Sequence, residues 1–324
     1  MTHTHLLVLL LVLISSECFS DTIRIIGEYN KRGIAKDFIV LTEELSKIGH
    51  TVEHLNYNGI ENHLKKIKLV DTQIHIQNIS TAIMSKGKKN YCIPNPEFTP
   101  VSSEGLQKMD LILARTKESE RIFSSIGLPV FYLGFTSVDH TISQSKKSFE
   151  SYIHVKGFSP LKSTAELMRA WSRYFPELIV VDHTSDVQKI PKNIYLIQEY
   201  LTDEELKFLQ NRAGIHICPS KTEGFGHYLV EAMSVGSVVI TTDAPPMNEF
   251  ITDPRFLIPY DTVTTQNFAR LYHISTEQMR NKMREIVKLD PKFLEQAGNE
   301  NRTKYLEMKK IFITNLKRLF PHDA

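Results

Sequence analysis

This chain of 324 residues is poor in cysteine, in net charge and in long apolar runs. Its three cysteines, Cys18, Cys92 and Cys218, stand far apart. That spacing excludes a disulfide scaffold and a cysteine metal knuckle. Thirty-nine basic residues against 37 acidic ones leave a formal charge of +2. So even a balance gives no broad footprint for nucleic acid, and no nucleic-acid partner is expected. The longest apolar run, Leu6 to Ile14, has nine residues, too few to span a bilayer. There is no D-x-D motif and no cluster of His and Cys, so neither a metal nor a cofactor is expected. No short repeat or low-complexity tract interrupts the chain. Its apolar content of 41% is ordinary for a globular protein, and its length has room for two α/β domains.

The apolar run near the N-terminus is followed by small residues up to Ser20. This pattern fits a secretory leader over residues 1–20. A lumenal or secreted route follows, and the sequons at Asn78 and Asn301 are compatible with it. The stretch before the run holds histidines and no Lys or Arg. If the leader stays uncut, it anchors the chain and brings it into association with a membrane.

Apolar periodicity divides the rest into alternating strands and helices. In the first half, strands are expected at Ile23–Gly27, Val52–Asn56, Ile74–Ile79, Tyr91–Ile93, Asp110–Ala114 and Val130–Phe135. Helices are expected at Ala35–Ile48 and Lys117–Ser125. Residues 138–150 are polar and turn-rich and read as a linker. The second half repeats the alternation, with strands at Tyr152–Gly157, Leu178–Asp182, Ile194–Gln198, Gly214–Cys218, Ser237–Thr242 and Phe256–Pro259. Its helices are expected at Thr164–Tyr174, Thr202–Ala213, Thr276–Leu289 and Pro291–Phe320. Alternation of this kind predicts a parallel sheet in each half.

One unit carries most of the chemical information. The strand ending at Cys218 runs into a loop with Glu223, Gly224, Phe225 and Gly226. A helix containing Glu231 follows, Gly236 closes it, and a second apolar strand comes next. In open α/β sheets, ligands bind at the carboxyl ends of strands. Glycines allow a ligand close to the free N–H groups of a helix start, which favours phosphate. Ionised carboxylates only accept hydrogen bonds, so Glu223 and Glu231 suit sugar and ribose hydroxyls. The structural alternative is an amphipathic helix between two core strands, with both acids on a solvated face.

These residues resemble the group 1 family of GT-B glycosyltransferases, whose signature is a Glu, seven residues and a second Glu. Glu223, Gly224, Phe225, Gly226, Glu231, Ala232, Met233, Gly236, Val238, Val239 and Glu249 match it. Ser237 stands where proline is frequent, and Pro245-Pro246 where a glycine pair is common. The resemblance implies a GT-B α/β fold: two Rossmann-like domains, 21–137 and 151–300, facing across a cleft, with residues 301–324 crossing back as a helix. It implies retaining transfer of a sugar from a nucleoside-diphosphate sugar to a glycan, lipid or protein hydroxyl, with no protein nucleophile and no metal. Glu231 then accepts from the ribose, Glu223 lies near the donor sugar, and Gly224 to Gly226 face sugar and phosphate. Glu249 matches a third family carboxylate, or is simply an acid favoured by a helix N-terminus.

Lys162 matches a family cation that meets the diphosphate, or else is a solvated lysine at a helix start. A first cation is missing, because Phe158 follows Gly157. Lys156 replaces it, or Lys162 and a helix N-terminus suffice, or activity falls. A GT-B pseudoenzyme that binds nucleotide or glycan without turnover is the alternative reading. In the first half, Asn95 and Glu97 lie in a Pro-Asn-Pro-Glu run similar to one in a subset of these enzymes. They line the acceptor side of the cleft, or form a proline turn with a capping Asn. Arg115-Thr116-Lys117 is similar to a second element of that subset. His75 lies in an apolar strand and reads as a core residue, while Glu28 and Asn30 follow the first strand at the cleft floor.

Overall fold

A computed structural model describes residues 22–28, 33–58, 60–102, 104–184 and 190–321. The expected leader and Asn30 lie outside them. The first lobe comprises β1 (Thr22–Gly27), α1 (Gly33–Ile48), β2 (Thr51–Asn56), β3 (Val70–Ile76), β4 (Gly87–Ile93), β5 (Leu111–Ala114), α2 (Lys117–Ser125) and β6 (Val130–Tyr132). Its six strands pair in the order β2-β1-β3-β4-β5-β6, every pair parallel. Ile23, Ile25 and Ile26 of β1 are buried on both faces of the sheet, as expected for a central parallel strand. Phe38, Leu41 and Leu45 recur on one side of α1 and are buried against it.

The second lobe holds β7 (Ser148–Gly157), α3 (Thr164–Ala170), β8 (Leu178–Asp182), β9 (Ile194–Ile197), α4 (Asp203–Arg212), β10 (Ala213–Cys218), α5 (His227–Ser234), β11 (Val238–Thr242), α6 (Met247–Phe250) and β12 (Leu257–Ile258). Its order is β12-β11-β10-β7-β8-β9, again parallel throughout. A hairpin, β13 (Thr262–Gln266) with β14 (Ala269–His273), precedes α7 (Thr276–Ile286) and α8 (Pro291–Leu319). Thr202 opens α4 with a reciprocal capping box to Glu205, which satisfies N–H groups the helix cannot pair itself.

Strand β4 begins at Gly87, not Tyr91, β6 ends at Tyr132, not Phe135, and α7 ends at Ile286, not Leu289; three further boundaries depart from the sequence expectation for physical reasons. Strand β3 spans Val70–Ile76, not 74–79, because its polar residues are core residues: buried Gln73 bonds Arg24, Asn90 and the Ile83 carbonyl. Gln77 then turns the chain with φ of 62°. The linker stops at 147, since Ser148–Glu150 already belong to β7. Helix α3 ends at Ala170, before Trp171 in extended conformation. The hairpin β13–β14 was not expected; β13 is polar and exposed, while short β14 buries Ala269, Leu271 and Tyr272.

Helix α8 leaves the second lobe and runs onto the first. Tyr305 Oη donates to the Ser137 carbonyl at 2.9 Å. Fully buried Phe312 meets Phe135 edge to face with centroids 5.0 Å apart. Asn315 donates to the carbonyls of Tyr132 and Leu133. Phe312 therefore joins the lobes, and Phe312→Ala should cost about 3–5 kcal/mol. Urea unfolding of the variant checks this, and a loss under about 1 kcal/mol would mean that the helix end is loosely seated.

Candidate functional site

The carboxyl ends of both sheets face each other, and the β10–α5 loop lies between them. Gly226 caps α5 in the left-handed region with φ of 95°, a conformation that strains residues with a Cβ. The turn presents the start of α5 to the other lobe. Gly224 touches that lobe directly: a Cβ there would fall 2.0 Å from Asn95 Oδ1 and 3.0 Å from Arg115 Nη2. Glycine is thus required at 224 by close approach of the two lobes.

Both signature carboxylates are inside the interface. Glu231 is 1% exposed. Lys36 of α1 pairs with its Oε1 across the cleft, and Gln210 Nε2 lies 3.4 Å from Oε2. Burial alone would raise this carboxyl; the charge of Lys36, then His140 and His227, holds it down at about 2. Glu223 accepts from Lys162 and from Ser220 Oγ. Lys162 is 8% exposed, and its ammonium rests 3.5 Å from the centre of the Tyr228 ring. It is therefore not a solvated helix-start lysine.

A second set of contacts joins the lobes around Asp37. Arg115 Nη1 binds both Asp37 oxygens, at 2.8 and 2.9 Å. His227 Nε2 lies 2.9 Å from Asp37 Oδ1, and its Nδ1 is 2.6 Å from Ser137 Oγ. Arg115 also donates to Asn95 Oδ1, and Asn95 Nδ2 donates to Gln77 at 2.6 Å. The Arg115 guanidinium faces the rings of Phe135 and Phe225 at 5.6 and 5.9 Å. Burial tends to raise Asp37, but Arg115 and His227 bring it below the usual carboxylate range.

Glu97 comes close to Glu223 from the first lobe. It is 5% exposed, and its Oε2 has no hydrogen-bond partner. Burial pushes this carboxyl up to about 7, the Glu223 charge adds to it, and Arg115 and the Gly224 N–H oppose it. The hairpin closes over it: Gln266 and Asn267 side-chain amides donate to the Glu97 carbonyl at 2.9 and 2.8 Å, and Phe268 N–H to the Pro96 carbonyl at 3.0 Å. The crevice bounded by Glu223, Pro96, Thr116 and Pro245 has about 10 Å³ of free volume, room for about one water. The cleft is closed.

Two expected residues stand elsewhere. Glu249 gives both carboxylate oxygens to the N–H groups of Lys117 and Glu118, at 2.8 and 2.7 Å. It caps α2 across the interface, and this occupies the oxygens assigned above to substrate. Lys156 cannot replace the cation missing at Phe158 in this arrangement, since Asp182 holds its ammonium at 2.9 and 3.1 Å and Thr184 at 2.6 Å. His75 is a buried core residue of β3. Sequence reasoning missed Lys36, Asp37 and His227 as site residues. A charged Asp37 on the apolar side of α1, among Phe38 and Leu41, was the available signal.

The segment 185–290 matches the family described as glycosyl transferases group 1. Among solved structures, the pneumococcal O-GlcNAc transferase GtfA in complex with UDP and GlcNAc superposes with a TM-score of 0.62 at 17% identity, over 80% of this chain and 58% of that one. Sucrose-phosphate synthase from Thermosynechococcus elongatus gives 0.64 at 12% identity, over 93% and 98%. TarM of S. aureus, in a complex with UDP, gives 0.55 at 16% identity, over 81% and 58%. The chain spans about 58% of the length of GtfA and TarM. No curated protein matches it by sequence. Two parallel sheets facing across a cleft give the chain the fold of these solved glycosyltransferases, and residues 185–290, which contain Glu223 and Glu231, are similar to the group 1 glycosyl transferases.

Glu97 supplies a pH test of the closed cleft. Its folded pKa lies above the ordinary 4.5, so its contribution is present below that value and is lost as pH rises to about 7. The stability difference between the natural chain and Glu97→Gln should therefore fall by up to about 3 kcal/mol over that window. Urea unfolding at stepped pH measures it; a difference independent of pH would mean that Glu97 is ionised in the closed form.

Proposed function

We propose that this protein transfers a sugar from a nucleoside-diphosphate sugar to an acceptor hydroxyl with retention of configuration. The observation that carries this reading is the pair Glu223 and Glu231 bracketing a glycine turn, at the carboxyl end of β10, on the face turned toward the other lobe. In this reading Glu231 accepts from the ribose, and the diphosphate lies over the start of α5, whose first N–H groups have no partner within the helix. Lys162 meets the charge that develops on the leaving phosphate. A leaving-phosphate oxygen takes the proton of the acceptor hydroxyl, which attacks the anomeric carbon on the same face as the bond that breaks. Glu223 orients the donor sugar. Closure of the lobes removes water, which would otherwise compete as acceptor.

Donor binding requires the cleft to open, and the Lys36 contact with Glu231 then breaks. Lys36 is placed to move from the carboxylate to the diphosphate once ribose hydroxyls replace it. That would supply from the opposite lobe the charge absent at Phe158. UDP-sugars head the candidates for donor because the pneumococcal relative is described with UDP and GlcNAc. The acceptor in this reading is a glycan, lipid or protein hydroxyl, and the leader expected over residues 1–20 supports a secretory route, either free in the lumen or anchored through an uncut leader.

A second reading, binding without turnover, is favoured by one observation: Phe158 stands at the first cation position while Asp182 holds Lys156 away. Sugar release from a panel of nucleotide sugars separates the two. Glu223→Ala and Lys162→Ala should each lower turnover about 10²–10³-fold. Saturating donor should raise thermal stability, by about 2.7 kcal/mol at a hundredfold excess over Kd. Stabilisation without turnover on any donor would establish the binding protein, and neither effect would remove the donor site itself.

A further inference from the structure

The positive charge of the first lobe is concentrated away from the cleft. Between residues 65 and 89 the chain has six lysines (Lys65, Lys66, Lys68, Lys86, Lys88 and Lys89) and one acid, Asp71, while the whole chain carries +2. The fold gathers these lysines at the amino-terminal pole of the parallel sheet. Val70 opens β3 beside Gly87, which opens β4. The short 3-10 turns 60–66 and 81–86 that lead into these strands pack on each other through Ile60, Ile83, Leu64 and Ile67. Arg24, 2% exposed, ties the starts of β3 and β4 together: it donates to the Lys68 carbonyl at 2.7 Å and to the Lys86 carbonyl at 3.2 Å. The lysine-bearing backbone is thus held by a buried guanidinium and is not a loose loop.

The side chains of Lys65, Lys66, Lys68, Lys88 and Lys89 are exposed. Lys88 meets Asp71 at 2.5 Å; among the described residues no ion pair joins the other five. Leu69 stands among them with 59% of its surface exposed. Thr22, where β1 begins, lies at this same pole, since Thr22 pairs with Thr51 and Ile23 with Thr72.

We propose that this pole docks on an anionic lipid surface. A cluster of four to eight basic residues on one surface is the form that anionic headgroups attract. The basic side chains are all lysines, point charges suited to headgroups, not the planar guanidinium forks that read base edges. Exposed Leu69 adds an apolar contact at the centre of the charge, which a nucleic-acid backbone would not use. The proposal is independent of the donor-site reading. It has a geometric consequence for the acceptor. Strands of six or seven residues rise about 20 Å from this pole to the cleft, so the cleft would open well above the headgroups. An acceptor projecting from the surface fits that height, and a headgroup hydroxyl does not.

The test is cosedimentation of the full chain with phosphatidylcholine vesicles, with and without phosphatidylserine, at low and high salt. Binding should be at least about tenfold tighter to the anionic vesicles, and salt should abolish the excess. The variant K66Q/K68Q/K88Q/K89Q should lose that excess while keeping the unfolding temperature of the natural chain. The equal charge change K288Q/K292Q/K310Q/K317Q, on exposed lysines of α8 and the turn between α7 and α8, should leave it in place. Equal binding to neutral and anionic vesicles would overturn the proposal, because the lysines would then contribute nothing. So would unchanged binding of the first variant, equal loss in both variants, or binding of heparin or nucleic acid with no binding of vesicles.

Discussion

The closed form of this protein depends on charges that meet across the cleft out of reach of bulk water. Lys36 and Asp37 are adjacent on α1 and face opposite partners: Lys36 pairs with Glu231, and Asp37 with His227 and with Arg115. Taking such groups out of water is expensive, and their mutual attraction repays the cost only where geometry is good and the remaining polar atoms are bonded. Most of these atoms are. The exceptions, Arg115 Nε and Glu97 Oε2, lie beside the Gly224 turn. The interface is thus well paired around Asp37 and incompletely paired at the place where a donor sugar would lie.

This distribution links stability to function. A buried ion pair adds little net stability but is costly to half-dismantle. Opening the cleft hydrates both partners at once and avoids that cost. A donor that brings ribose hydroxyls to Glu231 and phosphate to the cations can replace each broken contact with another of the same kind. The lobes meet through polar pairs around Asp37 and Glu231 and also through rings: Phe225 and Phe312 both pack edge to face on Phe135, and Phe268 of the hairpin meets Phe123.

Much of this organisation was legible from residue order alone. Alternating apolar periods located most strands and helices of both sheets, and the spacing of Glu223, the glycines and Glu231 located the loop between the lobes. What escaped were features that depend on distant partners. Gln73 and Arg24 look wrong for a core strand until each is seen to satisfy the other. Lys36, Asp37 and His227 are ordinary polar residues in sequence, and only the approach of the lobes assembles them. Glu249 has the spacing of a ligand, yet both its oxygens serve the N-terminus of α2, a helix about 130 residues earlier in the chain. The hairpin was missed because β13 is exposed and polar, and the few buried residues of β14, Ala269, Leu271 and Tyr272, make too short an apolar signal.

The hairpin has a consequence for how the cleft admits solvent. Its amides hold the main chain of Pro96 and Glu97, and the Glu97 side chain faces Glu223 beneath it. Lifting the hairpin therefore exposes a carboxyl whose pKa burial pushes up to about 7. Hydration lowers its pKa, so unlatching and loss of a proton belong to a single event.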